Sequence, residues 1–164
     1  MTTRWLDADQ QRAWRAYIVG TTLLMERLDR DLREHHDLSL PEYEILVRLS
    51  ETPDRMLRMA ELADSVKNSR SRITHTIARM EREGIVERRQ CAADGRGVFA
   101  ILTDKGYALL EDAAPLHVES VRNALIDVVD AEDLQAVARA FASVADALTS
   151  GKPDPILRGG SPSR

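Results

Sequence analysis

The segment that decides the fold begins Ala60-Glu61-Leu62-Ala63-Asp64-Ser65-Val66. After a short turn it continues Ser69-Arg70-Ser71-Arg72-Ile73-Thr74-His75-Thr76-Ile77-Ala78-Arg79-Met80-Glu81-Arg82-Glu83-Gly84-Ile85-Val86-Glu87-Arg88, and it closes on Ile101-Leu102-Thr103. Its apolar spacing reads as a short helix, a turn, a longer helix, a glycine stop, a strand, a polar turn and a second strand. That order is a helix-turn-helix followed by a wing. Ser69 stands at the N-cap of the longer helix and Glu83 in its last turn. At about 100° per residue, Ile73, Ile77 and Met80 share one face, which must turn to a core.

The opposite face then carries Ser71, His75, Ala78 and Arg82, flanked by Arg72, Thr74 and Arg79. Ser, Thr, His and Arg side chains hydrogen-bond base edges or phosphates, and Ala78 is small enough for close approach. The N-terminal residues of such a helix reach the bases. Arg70, Ser71, Arg72, Thr74 and His75 are therefore base-contact candidates, with Ser69 at the start of the same DNA-facing set. Arg79 and Arg82 lie further along and are candidates for phosphate. An exposed charged helix face is ordinarily only a solvated surface; the short helix before it and the hairpin after it argue for more. Strands are expected near Val86–Cys91 and Val98–Leu102, and Ala92-Ala93-Asp94-Gly95-Arg96-Gly97 between them carries an Asp-Gly turn signal. Arg96, between two glycines at the tip, can enter a minor groove, with Asp94 as its salt-bridge brace.

Bulk charge looks unfavourable to such a role, since the 164 residues carry a net charge of −4. The distribution reverses that impression. Residues 55–96 hold ten Lys/Arg against six Asp/Glu, whereas the rest of the chain holds thirteen against twenty-one. A phosphate backbone meets local charge rather than the sum. The single cysteine, Cys91, excludes an intramolecular disulfide and fits a reducing compartment. No apolar run is long enough to span a bilayer and no apolar signal core is present, so a cytoplasmic location is expected.

The flanks are helical. Residues 1–36 are expected to form a long helix with an apolar stripe at Trp14, Tyr17, Leu24, Leu28 and Leu32. Residues 37–103 make the winged unit, in which Ser39 caps a helix started by Leu40 and Pro41, and Arg55–Arg58 can pair as a strand with the wing. Residues 104–149 form further helices, the first capped by Thr103 with a kink or restart at Pro115, the last capped by Asp130. Residues 150–164, rich in Gly, Pro and Ser, are expected to be a flexible tail. The fold class expected is mainly α with a small β-hairpin wing, a winged helix-turn-helix plus a helical dimerisation region. A lone winged helix buries a small core, and its helical flanks carry stripes that a second copy can cover. The expected dimer surfaces are Trp14, Leu24 and Leu28 on the first helix and the seam Leu134, Val137, Phe141, Val144 and Leu148 on the last. Packing of those stripes within one chain is the alternative, because interface and core share a composition.

At this point the residues meet a family. Glu61-Leu62-Ala63, Ser69 with Ile73-Thr74, Glu81 with Gly84-Ile85-Val86 and Arg88, and Asp94-x-Arg96 leading to Leu102-Thr103-x-x-Gly106 together resemble the MarR family of bacterial transcriptional regulators over roughly residues 10–148. The resemblance implies a homodimer whose two winged helices straddle a pseudo-palindromic operator in double-stranded DNA, with Arg96 in the minor groove. It also implies a small-molecule effector, often aromatic or phenolic, bound between the dimer base and the winged helix; Trp14, Tyr17, Tyr43 and Arg48 are the candidates for lining that site. Two positions depart from the family pattern. Gly95 replaces a residue that is often basic, and Met80 stands where Leu is commoner.

Other chemistries are poorly supported. The sequence has no nucleophile motif, phosphate loop or Cys/His cluster, so neither an enzyme nor a bound cofactor is expected. His35 and His36 are adjacent and point apart on a helix, His75 and His117 lie far off in sequence, and no metal site is expected. Thiol sensing in the resembled family usually uses a cysteine in the first helix, which this chain lacks. Cys91, beside Arg88 and Arg89, keeps a redox-responsive alternative open. A winged helix used for protein contact is the other. The function expected is sequence-specific DNA binding, with repression by promoter occlusion the simplest mode.

Overall fold

In the computed structural model, residues 2–90 and 97–149 are described. The chain divides into two compact units, Met1–Val121 and Arg122–Arg164. The first contains α1 (Ala8–His36), α2 (Leu40–Ser50), β1 (Met56–Arg58), α3 (Met59–Ser65), α4 (Arg70–Arg82), β2 (Val86–Gln90), β3 (Val98–Leu102) and α5 (Asp104–Val121). The second contains a π-helical turn, Arg122–Ile126, and α6 (Ala131–Leu148). No helix among the described residues is long and apolar enough to cross a membrane.

Local chemistry sets the boundaries. Asp7 caps α1 through a reciprocal box with Gln10, and α1 stops where Asp37 takes a left-handed conformation and its N–H returns to the carbonyls of Leu32 and Arg33. Ser39 and Glu42 form a second box that starts α2, with Pro41 in its first turn. Ser69 accepts from the Arg72 N–H and starts α4. Gly84, with φ of 74°, turns the chain from α4 into β2, a conformation that costs a residue with a Cβ. Thr103 accepts from the Gly106 N–H and donates to the Gly84 carbonyl, so the cap of α5 also holds the end of α4.

The sheet has the order β1-β3-β2, all antiparallel. β2 and β3 pair from Val86↔Leu102 to Gln90↔Val98, and Met56–Arg58 is the expected third strand. Beneath the sheet lies the core. Ile45, Leu46 and Leu49 of α2, Leu62 of α3, Ile73, Ile77 and Met80 of α4, and Ala100 of β3 are all buried. The three apolar residues expected to point α4 inward do so. The restart expected at Pro115 does not occur: α5 runs unbroken through it. A proline removes one backbone hydrogen bond, and here the packing of α5 on α1 and α2 keeps the helix continuous.

The two candidate dimer faces differ. Residues 8–20 of α1 are exposed throughout, and Trp14 is 55% exposed; Leu24 is half-buried. Leu28 departs from its expected interface role, being buried at 5% where α1 has come to lie over the winged unit. In α6 no residue is buried; Leu134 is half-exposed, and Val137, Phe141, Val144 and Leu148 are exposed.

Gly106 occupies a tight seat. A Cβ there would lie 2.1 Å from the Ile85 carbonyl oxygen and 2.7 Å from Leu102 Cδ1. Backbone cannot yield as a side-chain tip can, so Gly106→Ala should lower unfolding free energy by about 1–3 kcal/mol. Urea denaturation followed by circular dichroism checks this; a midpoint equal to wild type would show that α5 can shift freely away from Ile85.

Candidate nucleic-acid interface and the adjoining cleft

α4 presents an exposed polar face because its apolar residues occupy only one stripe. Ser69, Arg70, Ser71, Arg72, Thr74, His75 and Arg82 are exposed, while Ala78 and Arg79 are half-buried on its flanks. Thr74 donates its hydroxyl proton to the Arg70 carbonyl at 2.8 Å, which leaves its oxygen and methyl group facing out. Arg70 and Thr74 also line a groove of about 390 Å³ between α4, the start of α3 at Arg58–Ala60 and the strand end at Gly97–Val98. The expected wing-tip residues Asp94 and Arg96 lie outside the described residues, as do Cys91 and the tail from Ser150.

The arginines of this region fall into two groups. Among the described residues Arg70, Arg72 and Arg82 form no ion pair. Arg79 does: its Nε donates to Glu42 Oε1 at 2.7 Å, and a second guanidinium nitrogen also reaches that oxygen. Glu83 lies 3.8 Å from Arg79 Nε. The arginine read from the sequence as a phosphate contact is thus engaged from within by a glutamate 1% exposed. Sequence reasoning gave Glu42 no role.

Glu42 divides its two oxygens between two tasks. Oε2 accepts from the Ser39 hydroxyl at 2.6 Å and the Ser39 N–H at 2.9 Å, completing the cap of α2; Oε1 takes Arg79 of α4. The same end of α2 is tied to α1, where Asp29 accepts from the Leu40 N–H at 2.8 Å while paired with Arg33. Two residues beyond Arg79, the same end of α4 is tied to the wing. Glu81 accepts from the Arg88 N–H at 3.1 Å and from Arg88 Nε at 2.8 Å. Those bonds explain the sequence pair Glu81 and Arg88 and hold the Glu81 carboxyl below its ordinary value. At Glu42 burial pushes the pKa up, but Arg79 and Ser39 outweigh it and the carboxyl titrates below its ordinary 4.5.

A second concavity lies on the other side of α2. It encloses about 340 Å³ and is lined by Met25 and Leu28 of α1, Leu40, Tyr43, Glu44, Val47 and Arg48 of α2, and His117 of α5. Tyr43 and Arg48, expected at an effector site, meet there; Trp14 and Tyr17 do not line it and instead stack on each other along α1 at 5.8 Å between ring centroids. His117 was passed over in the sequence except as a metal ligand. Its ring lies 4.3 Å from that of Tyr43, its buried Nδ1 has no hydrogen-bond partner among the described residues, and burial lowers its pKa. The described residues contain no group of three or more His, Cys, Asp or Glu able to hold a metal ion.

A helix-turn-helix with an exposed arginine-bearing second helix, a paired strand and a wing defines a winged-helix regulator. The MarR family profile matches residues 38–98. Sco3205, a MarR family transcriptional regulator from Streptomyces coelicolor solved in complex with DNA, superposes with a TM-score of 0.85 at 44% identity, covering 88% of this chain and 94% of that one. AbsC, a MarR family transcriptional regulator from the same organism, gives a TM-score of 0.85 at 40% identity, over 90% and 99% of the two chains. The HTH-type transcriptional regulator MhqR of Bacillus subtilis is 25% identical over 120 residues, 69% of this chain and 81% of MhqR. The chain belongs to the MarR family of transcriptional regulators, which are not enzymes.

The Glu42 carboxyl sets a pH dependence whose sign follows from its lowered pKa. Its contribution to stability is complete above its unfolded value and is lost as pH falls through the lower folded value. The stability gap between wild type and Glu42→Gln should therefore be flat from pH 7 down to about 5 and shrink below that. Urea midpoints of both proteins across that range measure it; a gap that widens as pH falls would mean that the carboxyl is held protonated.

Proposed function

We propose that this protein binds double-stranded DNA as a homodimer and represses transcription by occluding a promoter, with a small aromatic or phenolic molecule relieving that binding. The observation that carries the reading is the exposed face of α4, where Arg70, Ser71, Arg72, Thr74, His75 and Arg82 stand clear of the core. The DNA complex of Sco3205, at 44% identity, supports it. Arg70, Ser71, Arg72, Thr74 and His75 read bases and Arg82 meets phosphate, while Arg96 with Asp94 serves the minor groove.

The dimer rests on exposed apolar faces. Trp14, Val19 and Leu23 of α1 and Val137, Val144 and Leu148 of α6 are all exposed, more than a surface helix needs. A second copy covers them, and its two α4 helices then meet half-sites one helical turn apart, roughly 34–36 Å. Effector binding is assigned to the cleft at Tyr43, Arg48 and His117, where aromatic faces and one cation converge. The apolar walls suit a planar ring and Arg48 suits an acidic or hydroxyl substituent.

Light scattering should give twice the monomer mass at micromolar concentration, and Val137→Asp with Val144→Asp should give a monomer; a monomeric wild type rejects the dimer. Fluorescence anisotropy on DNA from the upstream region, beside random DNA, should show selective binding with a steep salt slope. Weak, equal binding to both DNAs and to sequences selected from a random library would reject DNA reading. A panel of aromatic acids and phenols should raise the melting temperature and release DNA, with Tyr43→Ala losing both responses. No response from any member rejects the effector.

A further inference from the structure

We propose that Arg79 is a positioning residue that, with Glu42, fixes the angle of α4 against α2, rather than a phosphate contact. The inference rests on the DNA-binding reading above and assigns a role to a charge that reading would otherwise place on the backbone. Three observations carry it. First, the guanidinium sits on the flank of α4, about 120° from its core stripe, whereas Arg82 lies nearly opposite the core. Second, its partner is a carboxylate 1% exposed, which cannot leave its position to follow an arginine outward. Third, that carboxylate is itself pinned by the Ser39 hydroxyl and N–H, and the start of α2 is pinned to α1 through Asp29 and the Leu40 N–H. Arg79 therefore connects α4 to a fixed point through a charge-assisted contact, and its own charge is largely spent there.

The alternative predicts the opposite sign for one simple change. If Arg79 holds a phosphate, removing the Glu42 charge frees the guanidinium and deletes a nearby negative charge, so Glu42→Gln tightens DNA binding. If Arg79 is a brace, Glu42→Gln loosens α4 and weakens it. Lysine separates the readings again. A phosphate contact survives Arg79→Lys, because an ammonium binds phosphate as a point charge; a guanidinium fork shared between Glu42 and Glu83 does not.

The test measures anisotropy on the duplex that wild-type protein selects from a random-sequence library, across a salt series, for wild type, Arg79→Gln, Arg79→Lys, Glu42→Gln and the double variant. Arg82→Gln serves as the comparison for a phosphate contact. The brace predicts that Arg79→Gln, Arg79→Lys and Glu42→Gln each lose about tenfold in affinity and that the double variant loses no more than either single one. It also predicts an unchanged salt slope, while Arg82→Gln flattens the slope by nearly two in the dimer, at about 0.9 per phosphate. A flattened slope for Arg79→Gln with wild-type affinity for Arg79→Lys overturns the proposal. Arg79→Gln strands the buried Glu42 charge, whereas Arg79→Lys keeps a cation beside it. Circular dichroism and a urea midpoint on each variant establish folding, and Arg79→Lys decides the matter where Arg79→Gln or Glu42→Gln does not fold. Failure of wild type to select any duplex defeats the DNA reading itself, a result distinct from all of these.

Discussion

A single buried carboxylate at the start of α2 governs how the rest of the winged unit presents itself. Glu42 is charged and enclosed, a costly state unless its oxygens are fully used. They are: one completes the cap of α2 and the other takes Arg79. α4 is thereby fixed to the helix that supports the core. A hydrophobic core sets the depth of α4 but constrains its rotation weakly, because Ile73, Ile77 and Met80 form a narrow stripe. Two directional ion pairs in the C-terminal part of α4, Arg79–Glu42 and Glu81–Arg88, supply the missing constraint. Base readout needs side chains placed to a fraction of an ångström, which rigid elements with supported side chains provide.

α2 is also the element shared between the cleft and α4. Tyr43 follows Glu42 directly in sequence, so about one hundred degrees of helix separates the residue that faces the cleft from the residue that holds Arg79. In the proposed mechanism a ligand between α1, α2 and α5 acts on that helix, and the brace conveys its placement to α4. Coupling of this kind requires a ligand that binds one placement of α2 better than another, together with an element both sites bias. A looser link at Arg79 would let α2 move without moving α4. The same pair that sharpens DNA reading is then the pair that makes the cleft matter to it.

Much of this was legible in the residues, for local reasons. Ser69, the Ile73–Ile77–Met80 stripe and Gly84 each reflect a rule that acts within a few residues, and the helix, its face and the entry into the wing follow. The Ser39–Glu42 box is half legible: Ser39 reads as a cap, but nothing local shows that its Glu partner also reaches α4. Arg79's partner lies 37 residues away in sequence, and no local pattern points across that gap. A clue existed in the angle, since Arg79 falls on the flank where a side chain can turn inward and Arg82 does not. Leu28 illustrates the same limit. A heptad stripe marks an apolar face along the whole of α1 but cannot show which end its own chain will cover. His117 is hidden for a related reason, because its neighbour Tyr43 is far from it in sequence.

The unequal cover along α1 bears on how reading would work in a dimer. Residues 8–20 are exposed along their full length while Leu28, Asp31 and Leu32 are buried, so one helix spans from an exposed surface to the heart of the winged unit. In the proposed dimer, a second copy seated on the exposed end would position two winged units through two such levers. Asp31 stiffens the lever near its inner end by holding Arg27 on α1 and accepting from Ser120 of α5 at 2.8 Å. Two half-sites bind together only when both α4 helices meet the groove in register, and a misplacement at either one forfeits the gain from linking them. An angular error in α4 is therefore counted twice. That is the physical reason a charge turned inward, toward Glu42, can contribute more to DNA affinity than the same charge turned outward to a phosphate.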